Sequence, residues 1–202
     1  MNAIELFNNP FIYSEMNIEQ KIEFLQQNLD RSITFVGLMG AGKSSIGRML
    51  AKSLNLEFVD SDIVVEGQER RTIADIFKVS GEAYFRELER QSIIDLVSEA
   101  ESKVIGTGGG AFMNAETREI IKEKTLSVFL QGDCALLVKR VGTGVGRPLF
   151  EGKQPEDVLS ALIKERYPIY KQADIVVEAK DEPLQETLNR VIETLYSYLA
   201  EG

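Results

Sequence analysis

The chain has 202 residues, of which 44% are hydrophobic and 27% are charged, as is typical of one globular domain with a full core. Its formal net charge of −9 disfavours nucleic acid as a partner, because that binding depends on neutralising phosphates with basic side chains. The single cysteine, Cys134, excludes an internal disulfide, and the absence of histidine excludes His-based catalytic triads. We therefore expect a cytoplasmic protein in which carboxylates, lysine or tyrosine transfer protons and Cys134 is a small buried residue without chemistry.

Residues 1–31 precede the first predicted strand and show neither a secretory signal pattern nor an apolar run of about 18 residues that could span a membrane. Asn17 is placed to cap a short helix. Four apolar residues recur at helical spacing after it: Ile18, Ile22, Leu25 and Leu29. We interpret this segment as an N-terminal extension whose amphipathic helix packs on a single domain, 32–202, although a partner-binding or dimerising helix fits the same pattern.

A predicted strand, 32–37, is followed directly by Gly-Leu-Met-Gly-Ala-Gly-Lys-Ser and by a predicted helix, 43–54. This order of strand, Gly-x-x-x-x-Gly-Lys-Ser and helix is what a phosphate-binding P-loop requires. Its glycines allow backbone N–H groups to point into one concavity at the start of the helix, where the helix dipole favours an anion. Lys43 can then reach the β- and γ-phosphates, and the Ser44 hydroxyl can ligate Mg²⁺. The sequence therefore predicts nucleoside triphosphate binding; a glycine-rich turn with an incidental lysine is the weaker alternative.

Strands and helices alternate along the rest of the chain, which predicts an α/β fold with a parallel sheet covered on both faces. Further strands are predicted over 57–60, 103–107, 126–131 and 174–178. Helices are predicted over 115–122, 134–141 and 155–167 and from 184 onward. A helical region, 63–100, is expected to break near Arg71 and Gly81, and a glycine-rich loop spans 142–154. We find no sign of a second domain.

Asp60-Ser-Asp62, at the end of the second predicted strand, can supply the carboxylates that phosphoryl transfer needs near Mg²⁺. Two carboxylates at i and i+2 of an extended backbone point to the same side, and ligands bind at the carboxyl ends of strands in open α/β sheets. We assign Asp60 to the metal and its waters and Asp62 to the acceptor substrate. One helix-capping aspartate and one turn aspartate are the alternative.

Glycines 108–110 directly follow the third predicted strand. They allow the backbone to approach a ligand closely, but they fit a flexible turn equally well. Arg147 lies on the glycine-rich loop and suits a lid that closes over phosphates, or else it is a charge on a disordered surface loop.

Two further arginines also have alternatives. Arg86 can serve a ligand or simply pair with Glu82 or Glu89 on its own helix. Arg166 lies near the end of the helix that Pro168 is predicted to terminate, where it can face solvent or turn toward an anionic substrate.

Taken in order, these motifs resemble the shikimate kinase family over about 32–200. They are Gly-x-x-Gly-x-Gly-Lys-Ser, Asp-x-Asp, Ala-Asp-Ile-Phe, Phe-Arg-x-x-Glu, Gly-Gly-Gly, Arg-Pro-Leu and Arg-x-Pro-x-Tyr. The resemblance implies ATP-dependent phosphorylation of the shikimate 3-hydroxyl, giving shikimate 3-phosphate and ADP in aromatic amino-acid biosynthesis. It also implies a P-loop fold of the nucleoside-monophosphate-kinase type, with three layers, a five-stranded parallel sheet and a mobile lid at about 142–154.

The resemblance also implies roles for individual residues, with Lys43, Asp62 and Arg147 as the catalytic group and Asp62 as the base. The nucleotide would be held by Gly40, Ala41, Gly42, Lys43, Ser44, Ser45, Arg140 and Arg147, and Mg²⁺ by Ser44 and Asp60. Shikimate would be held by Asp62, Phe77, Phe85, Arg86, Gly108, Gly109, Gly110 and Arg166. In this arrangement Arg86 and Arg166 clamp the carboxylate of shikimate, Glu89 orients Arg86, and Arg140 lies near the adenine.

Two positions depart from the family pattern. Ser45 stands where threonine is frequent, a change that we expect to be harmless. Gly146 stands where asparagine is frequent, which can alter lid ordering or ATP affinity but leaves the catalytic roles unchanged. Another kinase of this fold, for gluconate or a nucleoside monophosphate, is the nearest rival, and a non-catalytic ATP-binding regulator is the rival from another class. We expect a monomer that binds neither nucleic acid nor membranes.

Overall fold

The computed structural model describes residues 16–142, 150 and 152–201. Its sheet has five strands: β1 (Ser32–Val36), β2 (Glu57–Asp60), β3 (Lys103–Gly106), β4 (Thr125–Gly132) and β5 (Ile175–Ala179). They lie in the order β2-β3-β1-β4-β5, and every neighbouring pair is parallel. The central strand β1 is buried at each of its positions, as expected where both faces of a sheet are covered. The prediction of a five-stranded parallel sheet is confirmed.

The helices flank this sheet and build the core with it. They are α1 (Ile18–Asn28), α2 (Lys43–Leu54), α3 (Ser61–Glu69), α4 (Ile73–Ser98), α5 (Ala115–Lys124), α6 (Cys134–Val141), α7 (Pro155–Tyr170) and α8 (Leu184–Glu201). Helix α2 packs on β1, β2 and β3, α8 packs on β5, and α5 packs on β4. A 3₁₀ turn, Ala111–Met113, connects the loop after β3 to α5. None of the helices in the described part of the chain is long and apolar enough to cross a membrane.

The N-terminal helix α1 begins with a capping box, in which Asn17 and Gln20 exchange side-chain-to-backbone hydrogen bonds of 2.9 and 3.0 Å. It packs against α8 and α2 and contributes the fully buried Leu25 to the main core. Gln26 also donates to the Ser53 carbonyl at 2.9 Å, near the end of α2. Helix α1 therefore supports the helix that follows the P-loop, while the division of the chain into 1–31 and 32–202 stays a prediction.

The helical region after β2 breaks in the two places that the sequence predicts. Helix α3 ends where Arg70 adopts a left-handed φ of 52°, and α4 kinks at Gly81, whose φ of 84° and ψ of 168° are not helical. Val65, Ile76 and Phe85 form a small hydrophobic cluster separate from the main core. Helices α3 and α4 therefore pack against each other through this cluster, beside the sheet.

The predicted end of α7 at Pro168 is wrong, because the helix continues through the proline to Tyr170. The Lys171 N–H donates to the Tyr167 carbonyl at 2.9 Å, so the hydrogen-bond ladder resumes after the proline. Tyr170 is fully buried, and its ring centroid lies 5.2 Å from that of Phe129. Burial of this aromatic ring outweighs the local preference of proline to end a helix.

The expected burial of Cys134 is also wrong. This cysteine is the first residue of α6 and is only half-buried, with its thiol 3.3 Å from the Ser160 hydroxyl. Asp133 caps the same helix end, so Cys134 begins the helix and packs only partly buried against the edge of the main core.

Candidate active site

The loop between β1 and α2 curves around a cavity of about 520 Å³ at the carboxyl ends of the strands. Gly37, Gly40 and Gly42 have φ values of 138°, 82° and 104°, which favour glycine strongly. Gly42 is also the N-cap of α2, so the unpaired N–H groups and positive dipole end of this helix open into the loop. Such a concavity binds phosphate. It is lined by Met39, Gly40, Gly42, Lys43, Ser44, Ser45, Asp60, Asp62, Thr107, Gly108, Gly109, Arg140 and Leu184.

Lys43 is held at the wall of this cavity by the loop itself. Its ammonium donates to the Gly37 carbonyl at 2.9 Å and to the Leu38 carbonyl at 3.1 Å. These contacts keep a positive charge beside the mouth of α2, where the phosphates of a nucleotide would lie.

Ser44 and Asp60, which the sequence predicts as oxygen ligands of Mg²⁺, are in direct contact. The Ser44 hydroxyl donates to one carboxylate oxygen of Asp60 at 2.8 Å, and the other oxygen accepts the Asp62 N–H at 3.1 Å and so caps α3. Asp60 is thus both a helix cap and a partner of the P-loop serine. No group of three or more acidic or cysteine side chains that could hold a metal lies within the described residues. The site fits an ion completed by phosphate oxygens and water, as Mg²⁺ prefers.

Asp62 reaches the cavity from a helix, whereas the sequence predicts an extended backbone at this position. It lies in the first turn of α3, so the alternation of an extended strand does not apply to it. It nevertheless lines the same cavity as Asp60. Burial, followed by the negative charges of Glu89 and Asp60, raises the pKa of Asp62 to about 6, and the Lys43 ammonium opposes that rise.

Two of the glycines at 108–110 are required, because neighbouring side chains lie too close to the backbone for a Cβ to fit. A Cβ on Gly108 would overlap the Glu89 carboxylate and lie 2.8 Å from an Asp62 oxygen, and one on Gly110 would overlap the Arg86 guanidinium. A Cβ on Gly109 would meet nothing closer than 3.6 Å. The glycine run therefore lets charged side chains pack directly against the backbone, which a flexible turn does not require.

Arg86 forms both ion pairs that its helix allows. It contacts Glu89 at 2.7 Å and Glu82 at 3.1 Å, and its guanidinium lies 5.1 Å from the centroid of Phe85, whose ring is 4.8 Å from that of Phe77. These are the ion pairs that the sequence left open as the alternative to ligand binding, and they are present. They do not remove Arg86 from the site, because the guanidinium faces a second cavity of about 340 Å³.

Arg166 reaches the same second cavity from α7. Its side chain is only 15% exposed, its Nη1 donates to the Gly109 carbonyl at 3.1 Å, and its Nε is buried without a hydrogen-bond partner among the described residues. It therefore turns inward, away from solvent. Two guanidinium groups that line one cavity are suited to clamp a carboxylate.

Arg140 ties the P-loop to the segment before α8. It donates to the Ala41 carbonyl at 3.1 Å and to the Lys180 carbonyl at 2.9 Å. Leu184, at the start of α8, lines the P-loop cavity and is 39% exposed, and Thr107 lines it after β3. Leu184 and Thr107 were not predicted from the sequence, because a leucine at a helix start and a threonine at a strand end carry no distinguishing pattern. Arg147 lies outside the described residues.

Comparison with known proteins places the chain among enzymes of one kind. A family model described as shikimate kinase matches residues 39–196. The chain is 46% identical over 175 residues to the shikimate kinase of Paramagnetospirillum magneticum, covering 87% of this chain and 89% of that protein. It matches the structure of shikimate kinase from Acinetobacter baumannii in complex with shikimate with a TM-score of 0.80 and 33% identity, covering 87% of this chain and 97% of that one. A gluconokinase from Sinorhizobium meliloti is 20% identical, with a TM-score of 0.54, and therefore shares the fold. That match covers 85% of this chain and 94% of the gluconokinase.

Proposed function

The chain belongs to the shikimate kinase family, and we propose that it transfers the γ-phosphate of ATP to the 3-hydroxyl of shikimate, giving shikimate 3-phosphate and ADP in aromatic amino-acid biosynthesis. One observation carries the proposal. The glycine run 108–110 borders both the P-loop cavity and the cavity of Arg86 and Arg166, and Asp62 packs against this run. A phosphate donor and a carboxylate-bearing acceptor can thus meet at Asp62.

The acceptor side suits a small hydroxylated acid. Arg86 and Arg166 would hold its carboxylate through two-pronged hydrogen bonds, which lysine cannot form. Asp62 would accept hydrogen bonds from the ring hydroxyls and take the proton of the attacking one. Phe77 and Phe85 line neither cavity, but their ring centroids lie 6.0 and 5.1 Å from the Arg86 guanidinium, so they would wall the pocket behind that group. Glycines 108–110 would line it.

The donor side would neutralise and position the triphosphate. In the P-loop, Gly40, Ala41, Gly42, Ser45 and the amino end of α2 would bind the phosphates, and Lys43 would reach those that react. Ser44 and Asp60 would hold Mg²⁺, which neutralises phosphate charge when it is bound. Phosphoryl transfer depends mainly on such positioning and charge neutralisation.

Two arginines would complete the nucleotide site. Arg140 would lie near the adenine, a role supported by its place between the P-loop and the segment before α8. Arg147, on the predicted lid, would reach the phosphate in transfer. We further propose that the enzyme acts as a cytoplasmic monomer, with 32–202 as one kinase domain and 1–31 as an extension of it. The presence of a single cysteine in the sequence fits a reducing compartment.

The test is a coupled ADP-release assay with MgATP and, in turn, shikimate, gluconate or AMP as the acceptor. We expect turnover with shikimate alone and its loss in Lys43→Met. Turnover with gluconate or AMP instead would keep the P-loop assignment and overturn the acceptor assignment. ATP binding without ADP release from any acceptor would favour a regulatory ATP-binding protein.

A further inference from the structure

Two tyrosines on the last turns of α7 each reach across to the carboxyl ends of the sheet. The hydroxyl of Tyr170 donates to the carbonyl of Gly109, and that of Tyr167 donates to the carbonyl of Gly132 at the end of β4. Tyr170 is fully buried and Tyr167 is 9% exposed. Their ring centroids lie 5.2 and 5.1 Å from that of Phe129, so one aromatic cluster holds both rings.

The Gly109 carbonyl is the junction between α7 and the glycine run. It accepts one hydrogen bond from Tyr170 and a second, of 3.1 Å, from Nη1 of Arg166. A carbonyl oxygen has two lone pairs, so these two donors occupy both of them. The Gly109 carbonyl therefore fixes the position of the glycine run relative to α7 and the position of Nη1 of Arg166.

The hydroxyl of Tyr170 keeps its proton near neutral pH. Burial raises its pKa to about 12, although the neighbouring Arg166 opposes that rise through its positive charge and a hydrogen bond. The hydroxyl is therefore a permanent donor to Gly109, and pH near neutrality does not change the contact.

We infer that Tyr170 is a positioning residue of the acceptor site, which acts through the Gly109 carbonyl to hold the glycine run and Arg166 in the arrangement that binds the acceptor carboxylate. The inference rests on the proposed function, because it needs an acceptor that Arg166 clamps. Tyr170 does not line either of the two cavities, so it acts only through its neighbours.

Tyr167 provides the matched control. It is on the same helix, in the same aromatic cluster, and its hydroxyl likewise donates to a glycine carbonyl. Gly132, however, borders neither the P-loop cavity nor the cavity of the paired arginines. Phenylalanine at either position removes one buried hydroxyl and keeps the ring, so both variants lose a comparable amount of thermal stability.

The experiment measures kcat and KM for shikimate and for MgATP in wild type, Tyr170→Phe and Tyr167→Phe, and the shikimate Kd by calorimetry without nucleotide. We expect Tyr170→Phe to raise the KM and Kd for shikimate about tenfold and to leave the MgATP KM within about twofold, since one buried hydrogen bond is lost. Tyr167→Phe should keep the wild-type constants. Unchanged shikimate constants in Tyr170→Phe, or equal changes in both variants, would overturn the inference.

A double-mutant cycle tests the route through Arg166 with a second measurement. If both residues act through the Gly109 carbonyl, adding Tyr170→Phe to Arg166→Lys should change the shikimate Kd much less than Tyr170→Phe does alone. Independent, multiplicative effects would contradict that route. Wild-type enzyme that neither binds nor phosphorylates shikimate would overturn the proposed function itself, and the inference with it. Normal wild-type turnover with an unaffected Tyr170→Phe would overturn the inference alone.

Discussion

Asp62 and Glu89 each bring a buried carboxylate oxygen against Gly108, and neither oxygen has a hydrogen-bond partner among the described residues. Burial raises the pKa of both carboxyls, and the negative charge of Glu89 further raises that of Asp62. Arg86 opposes the rise at Glu89 through its ion pair. Buried acceptors without donors are costly, and a substrate hydroxyl that donates to Asp62 would relieve that cost.

The first prediction concerns the pH dependence of acceptor use. The pKa of Asp62 is raised from 3.8 to about 6, so its carboxylate form is lost as the pH falls through about 6. If Asp62 is the base, kcat/KM for shikimate should fall about tenfold per pH unit below that point. Steady-state rates from about pH 5 to about pH 9 would measure this. A profile that stays flat down to about pH 5 would show that Asp62 is not required as a carboxylate.

The second prediction concerns stability, whose pH dependence has the opposite sign to that produced by a salt-bridged aspartate. Because the folded state binds the Asp62 proton more tightly than the unfolded state, stability falls as the pH rises from the ordinary pKa of 3.8 to about 6. Asp62→Asn removes this charge and should raise the free energy of unfolding at neutral pH by on the order of 2 kcal/mol, while it abolishes turnover. Denaturant melts of this variant and of the exposed Asp95→Asn would test it. A destabilised Asp62→Asn would contradict the burial argument.

The third prediction separates the three glycines after β3. Gly109→Ala should keep near-wild-type kinetics, because the added Cβ meets only ordinary van der Waals contacts. Gly108→Ala would displace the carboxylates of Asp62 and Glu89, and Gly110→Ala would displace the guanidinium of Arg86. Both should raise the shikimate KM at least about tenfold. The same loss in all three variants would mean that the run needs backbone flexibility instead.

The fourth prediction concerns the arginine clamp. Arg86→Ala should raise the KM for shikimate far more than the KM for ATP, by about a hundredfold if a charge-assisted pair is lost. Arg31→Ala removes a surface arginine that pairs with Asp30 and is the control, with no expected change in either constant. Equal effects of Arg86→Ala on both substrates would make Arg86 a structural residue of α4.

The fifth prediction concerns the metal. Ser44→Ala removes the hydroxyl beside Asp60, and Asp60→Asn removes its charge but keeps an oxygen that can cap α3. Both should raise the Mg²⁺ concentration needed for half-maximal activity, by about tenfold or more. Ser53→Ala, near the carboxyl end of α2, is the control. Unchanged Mg²⁺ dependence in both variants would place the ion elsewhere.

The elements with local signatures were predictable from the sequence. The P-loop, the strands with their buried runs and the breaks at Arg70 and Gly81 all depend on interactions within a few residues of the chain. A glycine with positive φ, a capping asparagine or an apolar run carries its own physical reason wherever the rest of the chain lies. For the same reason the family resemblance, which rests on ordered local motifs, is confirmed.

What only the tertiary structure decided depends on contacts between distant segments. Helix α7 passes Pro168 because Tyr170 is buried against Phe129, and Arg166 turns inward because the Gly109 carbonyl accepts from it. The pKa of Asp62 is raised by burial and then by the charge of Glu89, which the sequence separates from it by most of α3 and part of α4. Sequence by itself determined which chemical groups this protein carries and on which elements. Their charge state, direction and partners came from packing, because burial and charge act through space over a few ångströms and take no account of separation along the chain.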